Sequence, residues 1–122
     1  MVKIPYISQE QYIGIVLIPQ EITLLQYTVQ ESGTYYATVF APTLGKYRFR
    51  VYLNGNVVDE CPNNSISIPF MAQKGDKITI KLLVYMVSSP LVIGVDVTLL
   101  RYDEKEKIWL EVPLFTPVTS VS

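Results

Sequence analysis

The residues of this chain whose types and spacing could carry chemistry are few. Its 122 residues include no histidine and one cysteine, Cys61. Without histidine the commonest general base and metal ligand is missing. One cysteine alone makes no internal disulfide, no cysteine–histidine nucleophile and no zinc site. Carboxylates remain. Asp59-Glu60 and Asp103-Glu104 are candidate acid and base groups of the kind glycoside hydrolysis needs across a cleft, although solvated loop charge is their plainer role. Asp59, Glu60, Asn63 and Asn64 offer oxygens to Ca²⁺, with no calcium-loop spacing behind them. Asn63-Asn64-Ser65 is an N-glycosylation sequon at Asn63. The expectation is no catalytic residue, no cofactor and no metal, so not an enzyme.

Binding chemistry is better represented. The chain has nine tyrosines and one tryptophan. Outward aromatics on a β-sheet stack on sugar rings in many carbohydrate-binding modules, and Tyr52 with Trp109 is the candidate platform here. The competing reading is that tyrosine suits strands and that outward aromatics sit in subunit contacts. Arg48 and Arg50 beside Tyr52 are candidates for a phosphate or for a charged subunit contact. A formal net charge of −1 argues against nucleic acid as partner. Charged residues make up only 17 % of the chain and apolar ones 49 %, which leaves little polar surface and points to surface covered by a partner. The apolar runs fall short of the roughly 20 residues that span a bilayer, and MVKIPYISQEQ shows no signal-peptide pattern. The expected location is a virion, otherwise the cytoplasm.

The elements that must position these residues are strands. Lys46–Leu53 alternates, with Tyr47, Phe49, Val51 and Leu53 inward and Lys46, Arg48, Arg50 and Tyr52 outward. Asn54-Gly55 after it predicts a type I′ hairpin turn, returning through Asn56–Glu60. Before it come Tyr12–Ile18, Ile22–Val29 and Thr34–Ala41. After it, Ser65–Phe70 predicts an edge strand with Ile66, Ile68 and Phe70 on one face. A Gln73–Asp76 turn then opens Lys77–Val87, followed by Leu91–Tyr102, a solvated Asp103–Lys107 turn and Ile108–Val112, with Ile108, Leu110 and Val112 inward and Trp109 outward. About eight strands at such spacing, with no helical period, predict an all-β fold. The specific expectation is a single eight-stranded antiparallel jelly-roll β-sandwich over residues 1–122, with extended arms at 1–11 and 113–122.

The order SGTYYATVFAP, KYRFRVYLNGN, AQKGDKITIKL resembles the core of the C1q and tumour-necrosis-factor-like jelly rolls. There a Gly-x-Tyr strand leads to a strand ending in Asn-Gly, and a Lys-Gly-Asp turn opens a later apolar strand. The resemblance spans Ser32 to about Leu83. The chain departs from that pattern in its shortness and in lacking the closing aromatic strand. What the resemblance implies is jelly-roll topology and assembly as trimers, and the partner expected is the chain itself, in a trimer or pentamer. The same fold builds viral capsids and spikes, and the Ile/Tyr/Lys-rich composition is similar to structural proteins of archaeal viruses.

The expected function is therefore a structural subunit of a homo-oligomer in a virion, contacting itself and other structural proteins. The runner-up is a carbohydrate-binding or receptor-binding β-sandwich. Segments apolar on both faces predict the interface at Ile13, Ile15, Val16, Leu83, Tyr85 and Val87, and the C-terminal arm adds Leu114 and Phe115.

Overall fold

Every described element is a strand, and Gly33–Phe40 and Arg48–Leu53 follow most plainly from period-2 runs in the sequence. The computed structural model describes residues 9–16, 20–40, 47–62, 64–84 and 91–112. Ten strands occur among them: β1 (Gln9–Val16), β2 (Gln20–Thr28), β3 (Gly33–Phe40), β4 (Arg48–Leu53), β5 (Asn56–Pro62), β6 (Ser65–Ile66), β7 (Phe70–Ala72), β8 (Lys77–Val84), β9 (Leu91–Asp103) and β10 (Ile108–Glu111). They form two antiparallel sheets, one ordered β2-β8-β4-β5 and one built on β1-β9-β3-β6 with β10 beside β9 and β7 beside β3.

The second sheet reduces to four lanes. β9 spans 13 residues, enough to take two short partners end to end on one edge. Gln9–Val16 of β1 pairs with Leu91–Thr98, and β10 pairs with Leu100–Asp103. β3 occupies the other edge, and its far side takes β7 and then β6. The expected eight strands are thus ten segments in eight lanes. Because β1 begins at Gln9, residues 9–11 belong to the sheet and not to an arm.

The pairings are nested. β4 pairs with β5, β3 with β7 and β6, β2 with β8, and β1 with β9. The innermost turn is Asn54-Gly55, with φ of 51° and 87°, the doubly positive pair a type I′ turn requires. Asn54 also ties the turn to β8, its Oδ1 accepting from the Lys77 N–H at 2.9 Å. The Gln73–Asp76 turn closes as expected, with Gly75 at positive φ and the Asp76 N–H on the Gln73 carbonyl.

The core lies between the sheets. Phe49 and Val51 of β4, Ile78, Ile80 and Leu82 of β8, Val95, Val97 and Leu99 of β9, and Ala37 and Val39 of β3 are essentially sealed. In β2 the register shifts between Thr23 and Leu25, a bulge that lets consecutive Leu24 and Leu25 both bury.

Two expectations are corrected. Ser65–Phe70 is not one strand with Ile66 and Ile68 inward: both isoleucines are exposed, and Ser67 is buried between them. The Ser67 hydroxyl accepts from the Ala37 N–H at 2.9 Å while the Ser67 N–H donates to the Ala37 carbonyl at 2.8 Å. The hydroxyl thus stands in for a backbone carbonyl as acceptor of the Ala37 N–H, just past the end of β6. Ile108 is also exposed, since it starts β10 opposite Asp103 at the sheet's end, whereas Val112 buries as expected.

Candidate interaction faces

With the inner faces spent on the core, function falls to the two outer faces, and these differ in kind. On the outer face of β2-β8-β4-β5, β4 presents Arg48, Arg50 and Tyr52, as its alternation predicts. Glu60 on β5 accepts from Arg48 Nε at 2.8 Å and from Arg50 Nε at 2.7 Å. Glu21 on β2 accepts from the Tyr52 hydroxyl at 2.7 Å and lies 3.4 Å from both Arg50 and Lys81. Lys81 Nζ sits 5.1 Å over the Tyr52 ring, a cation–π contact. The Arg50 bond, then Arg48, holds the Glu60 carboxylate below its usual range. The Tyr52 bond foremost, then Lys81 and Arg50, does the same for Glu21 against the opposing effect of burial. The result is a lattice of satisfied charges across four strands.

The outer face of the β1/β10-β9-β3-β7/β6 sheet mixes threonines and the acids Asp96 and Glu111 with exposed aromatic and aliphatic side chains. Trp109 packs edge-on against Tyr36, ring centroids 4.7 Å apart, and against Tyr102 at 5.2 Å. Phe40, Ile66 and Met71 stand exposed on the same side, Ile66 and Met71 each at 63 %. The Thr34 hydroxyl donates to Met71 Sδ at 3.1 Å. Leu100 pairs with both Tyr36 and Glu111.

This geometry separates the two residues expected to form one platform. Tyr52 and Trp109 do face outward, but on opposite sheets, and the Tyr52 ring already carries Lys81. Leu83, expected at an interface, is 5 % exposed in the isolated chain and offers a partner almost no surface. Ile13, Ile15 and Val16 lie in β1, their backbones paired with Gly94, Val92 and Leu91 in the sheet that carries Trp109. Tyr85, Val87, Leu114, Phe115 and Asn63 lie outside the described residues. The sequence reading missed Tyr36, Tyr102 and Met71 as surface-forming residues. Their outward parity was readable from the alternation of their strands, but their common sheet was not.

The carboxylates do structural work. Asp59 accepts from the Ile68 N–H, the Glu60 N–H and Cys61 Sγ, at 2.9, 2.9 and 3.0 Å. Burial alone would raise its pKa, yet the bonds from Cys61, Ile68 and Glu60 hold the carboxyl below its usual range. Burial first, and then Asp59, pushes the Cys61 thiol up to about 12, so it is no thiolate nucleophile near neutrality. Asp103 Oδ1 caps its own turn, accepting from the Lys105 N–H at 2.9 Å. Among the described residues no three carboxylate or thiol side chains gather as a metal site. No helix among the described residues is long and apolar enough to cross a membrane.

The chain is similar in fold to a solved structure, the Yersinia pseudotuberculosis-derived mitogen, with TM-score 0.55 and 16 % identity, covering 94 % of this chain and all of the mitogen's. The similarity is one of fold. No protein-family model matches the chain, and no curated protein does. The mitogen match therefore supports the all-β sandwich and leaves the C1q and tumour-necrosis-factor resemblance at the level of sequence.

Proposed function

We propose that the chain is a non-enzymatic assembly subunit, a jelly-roll β-sandwich that works as a homo-oligomer, placed in a virion as a capsid, vertex or spike component. The jelly-roll part rests on the nested pairing of β1 with β9, β2 with β8, β3 with β7 and β6, and β4 with β5, which is a long hairpin rolled into two sheets. The virion part extends the composition and the sequence resemblance.

The observation that carries the assembly part is the contrast between the outer faces. One is a closed lattice of ion pairs, whereas the other leaves Phe40, Ile66, Met71 and Trp109 in solvent. Exposed apolar side chains gathered on one sheet face mark an interaction surface. Sedimentation velocity at micromolar concentration tests the reading: an oligomer is expected, and a clean monomer overturns it.

A second reading takes the same aromatics as a ligand surface. Trp109, 37 % exposed between Tyr36 and Tyr102, would stack on a sugar of a glycan or a cell-surface receptor. Glycan-array binding abolished by Trp109→Ala supports it, and silence across the array removes it. Mitogenic activity is not carried over to this chain.

A further inference from the structure

We propose that the occupant of the sheet face bearing Trp109 and Met71 is a second copy of this chain, docked about a two-fold axis that runs parallel to the strands between β9 and β3. The inference rests on the assembly reading and names its surface.

One cross-strand row of the face carries the argument. Trp109 pairs with Tyr102, and Thr34 pairs with Met71. Tyr35 pairs with Arg101, so one further step of that register sets Thr34 beside Tyr102. Across four lanes the row therefore reads Trp109, Tyr102, Thr34, Met71. Its neighbours Leu99, Tyr35, Phe70 and Ala72 are buried inward, which fixes this row as outward.

The two ends of the row are unlike and complementary. A two-fold axis along the strands reverses lane order and keeps position along the strand. It sets Trp109 of one copy over Met71 of the other, twice, and Tyr102 over Thr34, twice. Thioether sulfur against an aromatic ring is a favoured contact. The contact is isologous and self-complementary, as two-fold interfaces must be. It fits the aligned face-to-face packing of sheets, about 10 Å apart and offset by about 30°.

Size and polarity also suit a second copy. Four lanes about 4.8 Å apart and strands of about eight residues make a face of about 19 by 26 Å, or about 500 Å² in projection. Side-chain relief brings that towards the ~800 Å² per partner of a standard stable interface. The row itself carries no charge, and the Thr34 hydroxyl already donates to Met71 Sδ, so covering that hydroxyl strands no donor. The face's acids, Asp96 and Glu111, fall in different rows and different lanes, so the axis does not set one over the other. Such a contact builds even-numbered assemblies, in place of the trimer or pentamer expected from the sequence.

The test uses single-cysteine additions, Met71→Cys and Trp109→Cys, with a bis-maleimide about 10 Å long, the sheet separation. Cys61 is buried, and the unmodified chain is the control for it. An equimolar mixture of the two variants is expected to give a cross-linked dimer, and each variant alone is not. Met71→Lys, at an exposed position, is expected to weaken self-association about tenfold or more with an unchanged circular-dichroism spectrum. Self-cross-linking of either variant alone, or no cross-link in a chain that still sediments as an oligomer, overturns this interface and leaves the assembly reading standing. A monomer at all concentrations removes both.

Discussion

Glu21 on β2 and Tyr52 on β4 meet at 2.7 Å over the top of β8, the strand that separates them. The bond bridges next-nearest strands, and Lys81 of β8 lies beneath it against both partners. With Glu60 clamping Arg48 and Arg50 on the other side, the whole face is cross-braced. Each pair is partly solvated, so each stabilises little by itself, and cooperation among them is what single changes will probe.

Glu60→Gln releases two arginines at once. It is expected to lower the denaturation midpoint slightly, and by less at high salt, where exposed pairs are screened. A loss unchanged by salt in urea titrations would mean that the lattice is not electrostatic.

Acid should weaken the fold through the same groups. Glu21 and Glu60 are held below the ordinary value of 4.5, and Asp59 and Asp76 below 3.8. A depressed carboxylate contributes stability that is complete above its unfolded value and is lost as pH falls through the folded one. Thermal midpoints are therefore expected to be flat from about pH 5 to about pH 9 and to fall progressively below about pH 4.5. Glu21→Gln with Glu60→Gln should flatten that fall.

Alkali acts through Cys61 with the opposite sense. The unfolded thiol ionises near 9.0 and the folded one near 12. Between those values the folded state holds a proton that the unfolded state has lost, so stability falls as pH rises, by at most about 1.4 kcal/mol per pH unit. Cys61→Ser keeps a donor for Asp59 and removes this titration. Its stability should decline less steeply above pH 9 than that of the parent. A parallel decline would assign the slope to other groups, Tyr35 first, since burial pushes its hydroxyl up to about 12.

Ser67→Ala leaves the buried Ala37 N–H without its acceptor. The expected cost is about 1–3 kcal/mol in chemical denaturation, with faster amide exchange at Ala37. Ile66→Ser, one residue away and exposed, should change stability by no more than about 0.5 kcal/mol. Leu82→Ala, fully buried, should cost about 2–5 kcal/mol.

What the sequence made legible is local. Asn54-Gly55 announced its turn because two positive φ values admit few other residue pairs, and Lys46–Leu53 announced its faces because nothing interrupts its alternation. Ser65–Phe70 was misread for the same kind of reason. SISI by its alternation favours the isoleucines inward, and only the bonding of Ser67 to the distant Ala37 backbone shows that the serine phase faces the core. Tyr52 and Trp109 were legible as outward, but which sheet each joins depends on pairings between distant segments. For Leu83, an apolar outward residue reads alike whether its own chain or a partner covers it. The division of one lane between β1 and β10 was hidden too, since it needs the length of β9 and the register of both partners.

The nested order of strands also bears on how quickly the chain reaches this state. β4–β5 closes across a two-residue turn and β9–β10 across residues 104–107, whereas the other, nested pairs must bring together segments separated by everything inside them. Formed from the Asn54-Gly55 turn outward, each pair shortens the loop left for the next, so closure entropy is met in instalments. The β1–β9 pair, linking residues 9–16 to 91–98, comes last on such a route. A topology dominated by pairings this distant folds on the millisecond-to-second scale. Until its final strand docks, the chain presents an open edge on β9, beside the face that we assign to self-association.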